Sequence, residues 1–165
     1  MTQRWAMILL TISTILLGAA ADARPIKIWA WDELVKTSDL VVIAEAKSTS
    51  DASDKPAEPS LVAVNTTFNV KSVIKGPTSI SDVKMLHFRS DPSKPGIDNG
   101  PRLLKLVLVR SDASNDAPAY MMFLKRLPDG RYIPASGQLD PVDSVFELVA
   151  ANGRNRLPQD ADSAK

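Results

Sequence analysis

Hydrophobic and polar residues alternate most regularly between residues 61 and 74. Val62, Val64, Thr66, Phe68, Val70 and Ile74 recur on one side, while Asn65, Thr67, Asn69, Lys71 and Lys75 take the other. That two-residue period marks a strand with one buried face. The run is longer than the usual strand of about 5–6 residues. A strand of that length in a small domain has to coil, and closure into a barrel is the common way to accommodate it. Gly76-Pro77 ends it.

Four more segments carry strand signals. Residues 40–47 (LVVIAEAK) are apolar on both faces at the start and half-polar at the end. Residues 83–89 (VKMLHFR), 103–110 (LLKLVLVR) and 120–127 (YMMFLKRL) follow, separated by polar, proline-containing loops at 48–60, 90–102 and 111–118. Pro128-Asp129-Gly130 is a turn, after which 131–135 is expected to pair back as a hairpin. Pro134 has no N–H for a ladder and belongs at an edge or bulge. Two short helices are predicted at the ends. The first covers 29–37, with Trp31, Leu34 and Val35 at i, i+3 and i+4, acidic residues in its first turn and Lys36 near its last. The second starts at Asp140, as N-cap, and Pro141, with Val142, Val145, Leu148 and Val149 as its apolar side and Gly153 as its stop. The expected fold is mainly β: a small closed or partly open five- to six-stranded OB-like Greek-key barrel with short flanking helices. A βαβ arrangement would need helices between successive strands.

The N-terminus follows a different pattern. Arg4 precedes an apolar stretch from Trp5 to Leu17 and a run of small residues from Gly18 to Ala23. This reads as a cleavable export signal over 1–23, cut after Ala21-x-Ala23 to leave Arg24 first, with Ala19-x-Ala21 as the competing cut. The stretch is shorter than the roughly 20 residues of a membrane span. No stable membrane insertion is therefore expected after cleavage, and the mature chain is expected in the periplasm or outside the cell. Residues 24–151 form the expected domain and 152–165 a polar, disordered tail.

Charge and cysteine content narrow the function classes. Lys and Arg number 20 against 19 Asp and Glu, and removing 1–23 takes away one of each sign, so the net charge stays at +1. Such a balance gives no electrostatic reason to expect nucleic acid as a partner. With no cysteine in the chain, thiol chemistry and cysteine metal sites are excluded, and an exported domain must be stabilised by packing alone.

Taken in order, several stretches resemble the netrin-like variety of the OB-fold found in the N-terminal domain of the tissue inhibitors of metalloproteinases. A short helix leads into Ser38-Asp39-Leu40-Val41-Val42-Ile43-Ala44. A long aromatic-containing strand ends at Val73-Ile74-Lys75-Gly76. Tyr120-Met121-Met122-Phe123-Leu124, the turn at Asp129-Gly130 and a closing helix from Asp140 complete the series. The pattern is similar to secreted bacterial proteins that carry this domain type. The resemblance implies an OB barrel and a protease-inhibitor-like role. It departs from the animal inhibitors where they chelate the protease zinc through the amine and carbonyl of an N-terminal cysteine, since no residue here matches that cysteine. A helix between the third and fourth strands, common in OB barrels, also has no counterpart in 90–102.

No catalytic constellation, metal-ligand set or cofactor motif emerges. His87 is the single histidine and is read as a polar residue on a strand face rather than a base or ligand. The rival reading is a metal-dependent hydrolase that combines it with loop carboxylates. Asp51, Asp54, Asp112 and Asp116 lie in turns that do not match a calcium loop. The sequon Asn65-x-Thr67 falls within a strand and is read as chance. Phe68, Tyr120 and Phe123 lie on strands where an OB barrel offers aromatics to ligands, but aromatic residues make up only 5%, too sparse for a nucleic-acid stacking platform. Trp29 and Trp31 precede the first strand, and with Arg24 they are the candidate partner-binding residues, because tryptophan is enriched at interface hot spots. Packing of Trp31 on the barrel is the structural alternative. The expected function is an exported non-enzymatic module that binds an extracytoplasmic protein; the alternative is a passive cell-envelope component.

Overall fold

In the computed structural model, residues 27–95, 100–108 and 118–148 are described. The expected signal segment, Arg24, the 111–117 loop and everything after Leu148 lie outside them. One helix, α1 (Trp31–Thr37), precedes six strands: β1 (Leu40–Asp51), β2 (Leu61–Lys75), β3 (Asp82–Ser90), β4 (Ala119–Arg126), β5 (Tyr132–Pro134) and β6 (Val145–Leu148). β1 pairs antiparallel with β2, and β2 with β3. β3 meets β5 in parallel through Met85 and Tyr132, β5 pairs antiparallel with β4, and β4 returns to β1 from Leu40↔Leu124 to Glu45↔Ala119. The order β1-β2-β3-β5-β4 thus closes on itself. The result is a five-stranded mixed barrel of the OB-like kind, as the alternation in β2 led one to expect. β6 is added beside β5, on the edge of β4 that does not face β1.

Three irregularities let β1 and β2 coil around this barrel. Between Val41/Val42 and Ile43/Ala44 the pairing skips Ile74 and Lys71 of β2, and between Ala46/Ser48 it skips Lys47 of β1. Each extra residue bends its strand and sharpens the local twist. Phe68 is 0% exposed at the centre of the barrel, beside partly buried Val70. The skip at Lys71 then changes which side faces inward. Val73 takes the inner position, and Ile74, expected inside, is 55% exposed.

β1 and β4 each serve two clusters. Leu40, Val42, Ala44 and Ala46, with Tyr120, Met122 and Leu124, fill the barrel together with Phe68, Val83 and Met85. Val41 and Phe123 point the other way, into a second cluster with Leu34 of α1 and Ala135, flanked by Trp29, Met121 and Phe146. The helix starts two residues later than its pattern predicts, and of its expected apolar face only Leu34 is buried. Its C-terminal end is held by Lys75, whose Nζ donates to the carbonyls of Val35 (2.7 Å) and Ser38 (2.6 Å). That places a cation where unpaired helix carbonyls gather. Gly76 (φ +112°) turns the chain directly afterwards, and a Cβ there would sit 2.8 Å from Leu40 Cδ1. Pro134 ends β5. Ala135 N donates to Phe123 O, so alternation points the Pro134 nitrogen towards β3, where pairing has already stopped at Tyr132.

Two expected elements are corrected. Residues 103–108 join no ladder. Their periodicity reports burial rather than pairing: Leu104 and Leu106 pack on the barrel interior, and Val107 N donates to Tyr120 Oη (2.9 Å). After Asp140 there is only a 3₁₀ turn, Pro141–Asp143, and then β6. The Asp140 side chain makes no cap; it binds Arg102 Nε (3.0 Å). Ser144 is fully buried on Ser136, with its Oγ 2.6 Å from Ser136 N. From there Val145 and Phe146, a β-branched and an aromatic residue, take the open edge of β4.

Candidate partner-binding cleft

Residues 27–30 run into α1 without a side-chain cap, and this entry brings the two expected tryptophans to one end of the second cluster. Trp31 opens the helix. Its ring stacks on Phe146 of β6 (centroids 5.1 Å, interplanar angle 26°) and meets Phe123 of β4 edge-on (5.4 Å). Phe123 and Phe146 are themselves in edge contact at 6.1 Å. Although packed on two rings, Trp31 remains 57% exposed. Trp29 is half-buried, with Lys27 Nζ 3.6 Å from its ring centroid; Lys27 also pairs with Glu33. Ile28, between them, is 91% exposed.

Lys27, Ile28, Trp29 and Trp31 line an open cleft of about 240 Å³ together with Leu34, Arg102, Asp143 and Phe146. Arg102 binds Asp140 and Asp143. Asp140 first, then Asp143, raises its pKa further above the ordinary range. The rim charges therefore answer one another, and what the cleft offers is apolar and aromatic surface. Partly exposed indole and phenyl rings held by their neighbours suit a protein side chain inserted from outside. Sequence reasoning had two of these residues and missed Phe146, Arg102 and Asp143. Phe146 falls inside the helix expected from Asp140, and the Arg102 pairing joins segments about forty positions apart.

The remaining candidates are drawn inward or tied down. Phe68, Tyr120 and Phe123 are buried, so none is offered on a strand surface. His87 does lie on a strand face, but on the inner one, 5% exposed. Its Nε2 is 2.8 Å from Thr66 Oγ1, which is 2.7 Å from Thr49 Oγ1. Nδ1 is buried without a hydrogen-bond partner. Burial lowers the His87 pKa to about 4, partly opposed by the Phe88 backbone. Asp51 pairs with Arg89, and Asp54 takes a two-pronged contact from Arg131 (2.7 and 2.8 Å). Asn65, of the sequon, also accepts from Arg131 (3.1 Å). Among the described residues no three His, Asp or Glu side chains group as a metal site.

The class of fold is thus an OB-like barrel with an accessory strand and an aromatic cleft at its helix side. No family model, curated protein or solved structure matches the chain.

Proposed function

We propose that this chain is an exported, non-enzymatic binding module whose partner is an extracytoplasmic protein gripped at the Trp29–Trp31 cleft. The observation that carries this reading is Trp31: a large aromatic ring fixed by two neighbours yet more than half exposed. A prepositioned ring loses little side-chain freedom on binding, which is what makes such a residue a hot spot. Export rests on the charged, apolar and small-residue order of positions 4–23. Among the described residues no helix is long and apolar enough to cross a membrane.

The test is recovery from envelope extract with the chain from Arg24 onward, in parallel with its Trp31→Ala variant. A partner bound saturably by the first and lost by the second supports the cleft. Equal recovery by both removes it. The resemblance to netrin-like domains narrows the partner to a protease. Without a cysteine, inhibition has to use the aromatic cleft rather than a chelating N-terminus. Titration against zinc endopeptidases decides this narrower version, and no inhibition at micromolar concentration ends it.

A further inference from the structure

His87 is a buried titratable group that the binding cleft does not use, and the strand pairing around it is uneven. β1 is paired to β4 only from Leu40 to Glu45, and β3 meets β5 only at Met85. Beyond those points, residues 48–51 and 86–90 are attached to β2 and to no other strand among those described. The outer end of β3 is thus a flank paired on one side. It is held additionally by Gln138 Nε2, which donates to Leu86 O (2.7 Å). His87 sits in this flank, opposite Val64, with its ring turned inward.

The groups facing the ring are all neutral or already paired. β2 contributes Val64 and Thr66, β1 contributes Thr49, and the connection between β5 and β6 contributes Gln138 beside Leu86. Tyr132 of β5 lies across Met85, one step inward. Asp51 occupies the row of His87 on the far side of Val64, but its carboxylate is taken by Arg89 (3.0 Å). Arg131 on the neighbouring turn is occupied by Asp54 and Asp129. A protonated imidazole carries two N–H donors; Thr66 Oγ1 lies at Nε2, while Nδ1 makes no hydrogen bond and only the Phe88 backbone favours the charged ring. Among the described residues no carboxylate acts on the ring, and the closed flank cannot hold the added charge without a desolvation penalty.

We propose that His87 is a proton-operated release: in acid it detaches the outer end of β3 from β2 while the barrel around Phe68 stays closed. The cheapest way to hydrate the ring is to peel the singly paired flank rather than to open the barrel, and the Arg131–Asp54 contact keeps the adjoining loop anchored meanwhile. This release is independent of the aromatic cleft.

The experiment is hydrogen exchange of the intact chain from pH 7.5 to 4.5, corrected for the intrinsic chemical rate, with NMR titration of the imidazole. Because the chain has one histidine, its signal needs no assignment. Linkage through one proton predicts roughly 50-fold faster exchange at pH 4.5 than at 7.5 in peptides covering 61–65 and 86–90, with 40–46 and 119–124 unchanged. His87→Gln, which keeps a polar partner for Thr66 but does not titrate in this range, is expected to flatten that response. Three results would overturn the release: an imidazole that titrates near 6.5 with no change in exchange, loss of protection in all segments together, or an unaltered pH response in His87→Gln. Should the variant fail to fold, the wild-type titration and exchange decide alone.

Discussion

The two apolar clusters share strands but not fates. In β1 and β4, alternate residues enter the barrel or the space beneath α1, and both sets are buried near Val41 and Phe123. The barrel is sealed by its own hydrogen-bond ladder, so every strand supplies a wall. The second cluster is roofed by a seven-residue helix, too short to be stable without packing. It buries Leu34 alone, leaving Trp31 and the edge of Phe146 to solvent. A closed ladder makes an interior; a short helix makes an interior with a doorway. That difference is why the binding reading belongs to the second cluster.

Phe68→Ala tests the sealed side and is expected to have the largest effect. Deleting a fully buried aromatic side chain costs about 3–5 kcal/mol, against a total stability that for a domain is about 5–15 kcal/mol. Urea unfolding followed by fluorescence is expected to show the midpoint falling sharply. A change below about 1 kcal/mol would mean that the cavity collapses, and that the barrel is less rigid than its ladder implies.

Acid acts on the polar end of the same interior. The folded pKa of His87, about 4, is below its ordinary value of 6.5. In that window the unfolded chain binds more protons than the folded one, so stability rises with pH. It is whole above about 6.5 and lost as pH falls towards 4. For a flank that stays closed the loss amounts to on the order of 3 kcal/mol, and local release reduces it. Urea midpoints at pH 7 and 4.5 measure it, and the loss should be absent from His87→Gln.

How far the sequence foretold the two clusters depends on what kind of information each needed. Leu40-Val41-Val42-Ile43 is apolar on both faces and gives way to Glu45 and Lys47. That pattern already announces a strand covered twice at its start, and α1 is the second cover. The alternation through Phe68 was equally legible. The inversion at Lys71 was not, because a bulge is defined by pairing with a partner strand that local pattern does not see. Residues 103–108 show the converse: Leu104 and Leu106 alternate because they are buried, and burial does not require a ladder. Asp140-Pro141 is a sound helix start locally, but the free edge of β4 and the demand of Arg102 for a carboxylate both lie far away in sequence. Trp29 and Trp31 could be named as candidates; that Phe146 would lie under them could not.

A smaller effect is expected from Arg131→Met, which keeps the hydrophobic stem and removes the fork. Arg131 ties loop residue Asp54 and Asn65 of β2 to the turn before β5, on the outer flank of the sealed cluster. The contacts are partly exposed, so the expected cost is about 1 kcal/mol and less at high salt. Limited proteolysis within 52–60 should accelerate more than global unfolding does. If both change equally, the loop is part of the barrel's cooperative unit and the contrast between closed waist and lightly held outer end weakens.

Trp31→Ala should change stability far less than Phe68→Ala and should be the most severe change to binding. The ring makes two aromatic contacts, worth about 0.5–1.5 kcal/mol each beyond area, but over half of its surface is already in water, so little hydrophobic burial is forfeited. Removing it also uncovers Phe146, which keeps the sign destabilising. A midpoint shift as large as that of Phe68→Ala would show that Trp31 seals the second cluster as the ladder seals the first. In that case the doorway does not exist, and the ring's exposure would be the rim of a core. A small shift accompanied by loss of partner recovery instead assigns the ring's free face to recognition, because only a residue that the fold can spare is available to be spent on a partner.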